Sequence, residues 1–459
     1  MSTYRDIYER FRREILDGRL GLGARLPSAR SLAAQLGVAR GTVDAAYELL
    51  ANEGYVVTRG AGGTLVDSGL DRRALLALRG GDAPVPRAAP SILRPPPAAT
   101  VPPFQMGMPA LDAFPRKAWS RLVARHGRAA PASALPEAAG LMRLRREIAT
   151  YLGVARGVAT APENVLVTGG FQGALGLVAL ALLRPGERVW MEDPGYFMTR
   201  RGLLAAGARL VEVPVDAEGM VVREGIRRAP AARLAVVTPS HQSPLGVTLS
   251  LARRLELLSW AHRARAFVLE DDYDGEFRYR GPPLPALKSL DREGRVLYAG
   301  TFSKVLLPGL RLGYLVVPDG ELARFLEVAR HLAPAPTPLL QAALADFMAE
   351  GQFATHIRRM RALYAERRAA LASALGERFG DRLRIELTAG GMHLLAWLKG
   401  RTRDTELVAR AEAAGLTPSP LSQMAAGRQP PALLLGFANT PVERAGDDAE
   451  RLSRALERA

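Results

Sequence analysis

The chain has 459 residues, a length that predicts two or three domains. Of these residues 48% are hydrophobic, and the mean hydropathy is near zero. No apolar run is long enough to span a membrane, so we expect a soluble protein. It has no cysteine and six scattered histidines, which excludes disulfides, thiolate catalysis and zinc fingers and predicts no metal site. The formal net charge is +16, but residues 1–67 hold nine Arg against eight acidic residues, so charge alone does not indicate nucleic-acid binding.

The first residues are polar and lack the apolar region of a secretory signal. Together with the absence of cysteine, this favours a cytoplasmic location.

Residues 1–67 show the pattern of three helices followed by a hairpin. Apolar positions recur at helical spacing in each helical segment, and Ser28 is suited to cap the second. A glycine-rich tip at 59–63 separates two short strand-like runs. This order predicts a winged helix-turn-helix. The predicted elements are helices over 5–17, 28–36 and 40–53 and strands at 55–57 and 64–66.

In a helix-turn-helix, the N-terminal end of the third helix enters the major groove of DNA. Arg40 is suited to a guanine edge and Thr42 to a base or a phosphate. Other polar residues suit phosphate contacts, which position a protein without reading sequence. Each alone is an ordinary surface residue. The predicted DNA-contacting residues are Ser28, Arg30, Arg40, Gly41, Thr42 and Arg59.

The ordered pattern from Leu26 to Tyr55 is more specific than any single residue in it. It combines Leu-Pro-Ser-Ala-Arg at 26–30, Leu-Gly-Val at 36–38, and Arg40 with Thr42. This pattern resembles the GntR-type winged helix of bacterial transcription regulators. The resemblance implies a double-stranded DNA operator as a partner.

Residues 68–103 contain eight prolines among Ala, Gly and Arg, which is typical of a linker stiffened by polyproline geometry. From 104 to 459, strand-like apolar runs alternate with helical patterns. This alternation predicts an α/β domain with a largely parallel sheet. The predicted strands are 165–168, 188–191, 234–238, 267–270 and 296–298.

Lys304 is one of only four lysines in an arginine-rich chain. Arginine supplies charge but cannot form a Schiff base with an aldehyde. A lysine in the turn Thr-Phe-Ser-Lys at 301–304, followed by Arg311, fits covalent binding of pyridoxal 5′-phosphate with a nearby phosphate-binding arginine.

Three further segments fit the same cofactor. The Gly-Gly-Phe-Gln turn at 169–172 opens a helix whose N-terminus suits a phosphate. Alternation along the strand ending at Asp271 puts Asp271 and Tyr273 on one face, for the ring nitrogen and the ring oxygen O3′, and Asp272 on the other. Tyr196 is suited to stack on the ring. The predicted cofactor-binding residues are Gly170, Phe171, Gln172, Tyr196, Asp271, Tyr273, Thr301, Ser303, Lys304 and Arg311.

With both halves together, the chain resembles the MocR subfamily of GntR regulators, including its His-Gln-x-Pro-x-Gly segment at 241–246. The resemblance implies a winged helix fused to a fold-type I aminotransferase-like domain at 104–459, which binds pyridoxal 5′-phosphate, senses a small-molecule effector and forms a homodimer.

Three positions depart from related proteins. Ser243 stands where classical aminotransferases carry an Asn that contacts O3′, and Met198 stands where the GABA-sensing members carry an arginine. Leu434 aligns with the arginine by which aminotransferases and those sensors clamp a carboxylate. The favoured interpretation is therefore a pyridoxal-phosphate-binding regulator without enzymatic turnover. Two alternatives stay open: an active aminotransferase with Lys304 as the catalytic base, and a DNA-binding protein whose second domain has lost the cofactor and only dimerises.

Overall fold

The protein is described from a computed structural model that covers residues 3–70, 101–128, 137–281, 284–332, 335–400 and 402–457. By its internal contacts the chain divides into two units, Met1–Pro96 and Pro97–Ala459. Most of the predicted linker lies outside the described residues.

The N-terminal unit has the predicted winged helix-turn-helix elements. Ile7, Phe11, Val43 and Leu50 form its buried core, as the helical spacing predicts. Strands β1 and β2 pair antiparallel, with Val57 opposite Leu65. The elements are α1 (Tyr4–Leu16), α2 (Ala29–Leu36), α3 (Arg40–Asn52), β1 (Val56–Thr58) and β2 (Thr64–Val66).

The C-terminal unit is built on an eight-stranded sheet in the order β3-β10-β9-β8-β7-β4-β5-β6. The strands from β9 to β5 in this order are parallel, as predicted, while β10 runs antiparallel between β3 and β9 and β6 runs antiparallel to β5. The strands are β3 (Val165–Thr168), β4 (Arg188–Asp193), β5 (Arg209–Asp216), β6 (Gly219–Met220), β7 (Leu234–Val237), β8 (Phe267–Asp272), β9 (Val296–Thr301) and β10 (Gly313–Val316).

Both faces of the central strands are covered. Phe267, Leu269 and Leu297 pack on one face with apolar residues of α6, whereas Val268 and Val296 pack in a separate cluster on the other. Successive strand residues point to opposite faces, so Asp271, the penultimate residue of β8, lies on the α6 side. The helices around this sheet are α4 (Arg116–Arg128), α5 (Met142–Arg156), α6 (Gly170–Leu182), α7 (Phe197–Ala205), α8 (Val222–Arg228), α9 (Leu251–Arg263) and α10 (Leu322–Leu332).

A second sheet of four antiparallel strands, in the order β11-β12-β14-β13, follows in the chain. Across the described ranges, no helix combines the length and apolar character needed to cross a bilayer. The remaining elements are α11 (Pro338–Ala349), α12 (Gln352–Phe379), β11 (Leu383–Glu386), β12 (His393–Leu398), α13 (Asp404–Ala413), β13 (Ser419–Pro420), β14 (Ala432–Gly436) and α14 (Ala445–Glu457).

Candidate functional site

The ends of three strands meet around Gly313. This glycine, at the start of β10, pairs with Thr168 at the end of β3 and with Thr301 at the end of β9. A Cβ atom added to Gly313 would lie only 2.8 Å from the Cα atom of Gly170, at the start of α6. The close approach brings the first turn of α6 beside the turn that carries Lys304.

Three of the predicted phosphate-binding residues come together at this point. Gly170 has a φ of +75°, and a Cβ atom there would lie 3.9 Å from Ser303 Oγ and 4.0 Å from Arg311 Nη1. The cap residue of α6, Gly169, makes no side-chain cap hydrogen bond. An open helix N-terminus beside a guanidinium and a hydroxyl suits a phosphate group.

Two other predicted phosphate-site residues have different roles in the geometry. Thr301 is buried, and its Oγ1 accepts a hydrogen bond of 3.2 Å from the backbone N–H of Ser303, so it stabilises the lysine turn. The Nε2 atom of Gln172 is buried and has no hydrogen-bond partner among the described residues. A buried amide left without a partner is consistent with a polar ligand there.

Lys304 is half-buried, and its Nζ atom donates a 3.0 Å hydrogen bond to the carbonyl oxygen of Gly107. Burial lowers the pKa of Lys304 from its ordinary value, against the opposing charges of Asp271 and Asp274. A lower pKa increases the fraction of neutral amine, the form that attacks a carbonyl. Gly107 was not predicted; its φ is +65°, and a Cβ atom there would lie 2.2 Å from Nζ.

Asp271, the penultimate residue of β8, lies close enough to Lys304 for its charge to act on the amine. It is 5% exposed, and its Oδ1 atom has no hydrogen-bond partner within the described part of the chain. Burial raises the pKa of Asp271, and the charge of Lys304 opposes that rise. A cationic N–H, such as that of a protonated pyridine ring, would satisfy this oxygen.

Asp272 faces away from the pocket, as the alternation predicts. Its Oδ2 atom lies 2.6 Å from Arg156 Nη2 and accepts a hydrogen bond from the hydroxyl of Tyr298. The neighbouring carboxylates therefore have separate surroundings. Asp272 is paired with a buried cation, whereas Asp271 has an oxygen without a hydrogen-bond partner among the described residues.

Tyr196 lies close enough to both Asp271 and Arg311 for their charges to act on its hydroxyl. Burial raises the pKa of Tyr196 to about 12, Asp271 adds to that rise and Arg311 opposes it. A ring near both the carboxylate and the phosphate-site guanidinium fits the predicted stacking position.

Tyr273 completes the predicted pocket. Its hydroxyl lies 3.0 Å from His241 Nδ1, and the Ser243 side chain opposes the rise in the pKa of Tyr273 that burial causes. The charge of Asp271 acts on Lys304, Tyr196 and Tyr273, and the charge of Arg311 acts on Tyr196, so these groups lie near one another. Pyridoxal 5′-phosphate therefore fits the residues present: an amine, a carboxylate, a phenol, an aromatic ring and an anion-binding helix N-terminus. Phe171, also predicted here, lies half-buried in the first turn of α6.

The two positions aligned with carboxylate clamps carry no charge. Leu434 is fully buried in β14, where it pairs with Leu395 and Ser419. Met198 is half-buried in α7. Neither position supplies the guanidinium that grips the carboxylate of an amino acid.

The predicted DNA-contacting residues lie on the surface of the N-terminal unit. Arg40 begins α3 with 71% of its side chain exposed, and its Nε atom lies 3.4 Å from Asp44 Oδ2. Gly41 is exposed beside it, and Thr42 is half-buried one residue further. The start of α3 thus presents a guanidinium that a base edge can compete for.

The other predicted contacts flank this helix. Ser28 caps α2 by accepting a 3.1 Å hydrogen bond from the N–H of Ser31, and Arg30 and Arg59 are exposed. Arg25 was not predicted: it is exposed, and its Nε atom would lie 2.9 Å from a Cβ atom added to Gly63 in the hairpin. Only the folded hairpin brings that guanidinium to the wing.

Comparisons with known proteins match both parts of the chain. Residues 3–66 match the family of bacterial regulatory proteins of the gntR type, and residues 109–418 match aminotransferase class I and II. The chain is 41% identical to the probable rhizopine catabolism regulatory protein MocR of Rhizobium meliloti, over 92% of this chain and 87% of that protein. It is 37% identical to the pyridoxine biosynthesis transcriptional regulator PdxR of Corynebacterium glutamicum, over 84% and 81%.

Solved structures resemble the C-terminal unit. A Pyrococcus horikoshii kynurenine aminotransferase, in complex with PMP, is 27% identical with a TM-score of 0.70, covering 78% of this chain and 91% of that one. An archaeal alanine:glyoxylate aminotransferase is 26% identical with a TM-score of 0.73, over the same shares.

Proposed function

Because the chain belongs to the MocR subfamily of gntR-type bacterial regulators, with an aminotransferase class I and II domain, we propose that it is a DNA-binding transcription regulator that holds pyridoxal 5′-phosphate on Lys304. The observation that supports the cofactor part of this proposal is the buried Asp271 oxygen that has no partner among the described residues, on a carboxylate whose charge acts on Lys304. The winged helix supplies the DNA reader.

Each pocket residue has a defined task toward the cofactor, which supplies a reactive aldehyde on an electron-withdrawing ring. When the cofactor is bound, Lys304 would bond to its carbonyl carbon, Asp271 would hold the proton on the ring nitrogen, and Tyr273 would donate a hydrogen bond to O3′. Gly170, with Ser303 and Arg311, binds the phosphate.

Sensing is favoured over turnover by what the pocket lacks. Met198 and Leu434 provide no clamp for a substrate carboxylate, and Ser243 stands in place of an Asn. The related MocR and PdxR proteins are named as regulators. An active aminotransferase remains the alternative, and measured keto-acid formation at ordinary aminotransferase rates would favour it.

Three segments divide the work. Residues 1–67 read an operator, with Arg40, Gly41 and Thr42 toward bases and Ser28, Arg30 and Arg59 toward phosphates. Residues 68–103 link the reader to residues 104–459, which hold the cofactor and sense the effector. Such a regulator works in the cytoplasm.

We expect a homodimer joined through residues 104–459, because two winged helices on one dimer can grip two half-sites of an operator. Sedimentation of the protein with bound cofactor at micromolar concentration should give twice the chain mass of 49.4 kDa. A stable monomer under these conditions would contradict the dimer.

Cofactor binding should change the affinity for the operator. A ligand shifts DNA binding only if it favours one domain arrangement over another, and a coupling of about 1–3 kcal/mol gives a 5–150-fold change. Gel shifts of the flanking intergenic DNA, with and without pyridoxal 5′-phosphate or an amine that reacts with it, measure this change. The Lys304→Ala variant should still bind DNA but lose the response. If the operator affinity did not change with cofactor, the proposed sensing role would be excluded.

A further inference from the structure

A buried histidine–aspartate pair lies against Tyr273. His241 Nδ1 lies 3.0 Å from Asp274 Oδ2 and also 3.0 Å from the Tyr273 hydroxyl. His241 is 6% exposed and Asp274 is 2% exposed. One ring nitrogen therefore faces both a carboxylate and the phenol that points into the cofactor pocket.

The His241 ring has little freedom to move. A Cβ atom on Gly391 would lie 2.2 Å from its Cε1 atom, and one on Gly246 would lie 3.0 Å from its Nε2 atom. Both glycines have φ values in the left-handed region, +95° and +72°. Thr388 Oγ1 lies 3.4 Å from Nε2 on the same side. The ring fills a slot that side chains at these two glycines would close.

The carboxylate of Asp274 determines which ring nitrogen of His241 carries a hydrogen. An ionised Asp274 can only accept hydrogen bonds, so Nδ1 must carry a hydrogen, whichever state Nε2 takes. The Tyr273 hydroxyl also interacts with Asp274. Without the N–H of His241, the carboxylate would draw the Tyr273 proton to itself. With that N–H in place, the proton is free for another acceptor.

We propose that His241 and Asp274 are positioning residues that keep the hydroxyl proton of Tyr273 available to the phenolic oxygen of the bound cofactor. This rests on the proposed function, since the acceptor belongs to a cofactor on Lys304. Ser243 stands where aminotransferases carry a second donor to this oxygen, so the pair supports the donor that remains.

Losing a hydrogen-bond donor and losing a negative charge change the pKa of the bound cofactor in opposite directions, which separates the proposed role from a simple charge effect. The chromophore is the bound cofactor. A hydrogen-bond donor to its phenolic oxygen stabilises the deprotonated form more than the protonated form, because the oxygen of the deprotonated form no longer shares its charge with a proton. Losing the donor therefore raises the pKa of the chromophore. Removing the negative charge of Asp274 alone would lower that pKa. The charged and titratable groups that face this site include Arg156, Glu192, Tyr196, Asp271, Asp272, Arg278, Tyr279, Lys304, Arg311 and His393.

The test is a pH titration of the visible absorbance of the cofactor-loaded protein. In Asp274→Asn no carboxylate requires a hydrogen on Nδ1, so the unprotonated Nδ1 can accept the Tyr273 proton. We expect the chromophore pKa to rise by about one unit, as it should in Tyr273→Phe. In the Tyr273→Phe background, Asp274→Asn should lower it instead. A fall in the single variant, or the same rise in both backgrounds, overturns the proposal.

A second pair of variants, at His241, tests the proposal if Asp274→Asn does not fold. His241→Asn keeps a donor near the position of Nδ1 and should titrate close to the unmodified protein, whereas His241→Leu should raise the pKa by about one unit. Equal behaviour of the two overturns the proposal. His126→Asn is the control, because His126 pairs with Asp346 between α4 and α11. If the unmodified protein shows no visible band with cofactor, the proposed function has failed instead.

Discussion

The Lys304→Ala variant should lose all cofactor that borohydride can trap. Lys304 is the amine in the pocket, with its Nζ atom on the Gly107 carbonyl and its pKa lowered by burial. An alanine leaves no nitrogen to attack a carbonyl carbon, so covalent attachment should fall to background, although cofactor held by the phosphate cradle alone can remain. Mass spectrometry of the reduced, denatured protein measures the adduct.

Lys117→Ala is the matched control, since Lys117 is exposed on α4. This variant should retain the full adduct. If Lys304→Ala still gave a reduced covalent adduct while Lys117→Ala lost it, the assignment of the attachment site would be wrong.

The Arg40→Ala variant should bind the specific operator about 1–3 kcal/mol more weakly, if Arg40 forks onto one base. That loss corresponds to a roughly 5–150-fold rise in Kd. Because the contact is to a base, binding to unrelated DNA should change far less. Titrations of operator and unrelated DNA at several salt concentrations separate the two cases.

Arg10→Ala provides a control with a similar surface environment. Arg10 Nε pairs with Glu14 at i+4 on α1, as Arg40 Nε pairs with Asp44 on α3, and both side chains are more than half exposed. Operator affinity unchanged by Arg40→Ala, or reduced equally by Arg10→Ala, would show that the recognition helix lies elsewhere.

Local patterns allowed the N-terminal unit and the strand ends to be predicted. Helical spacing and Ser28 define the three helices, because the helical period and the cap depend on neighbours within a few residues. Alternation at the end of β8 separated Asp271 from Asp272 for the same reason.

Contacts between distant segments escaped prediction. Gly107 meets Lys304 across 197 residues, and His241 meets Asp274 across 33. No spacing in the sequence encodes such pairs, since they depend on how the sheet is assembled. The antiparallel β10 was missed too, because its four-residue apolar run carries no sign of its direction.

The opposite orientations of Asp271 and Asp272 make the two carboxylates non-interchangeable, although they are chemically identical neighbours. Asp272 is already paired with Arg156 and Tyr298, so it cannot take over the role of Asp271 in a variant that lacks the Asp271 carboxylate. A one-residue slip of β8 would turn every side chain of the strand to the opposite face, so Phe267, Val268 and Leu269 would also leave the clusters in which they pack. Insertions and deletions within this strand should therefore be tolerated far less than substitutions of its apolar residues.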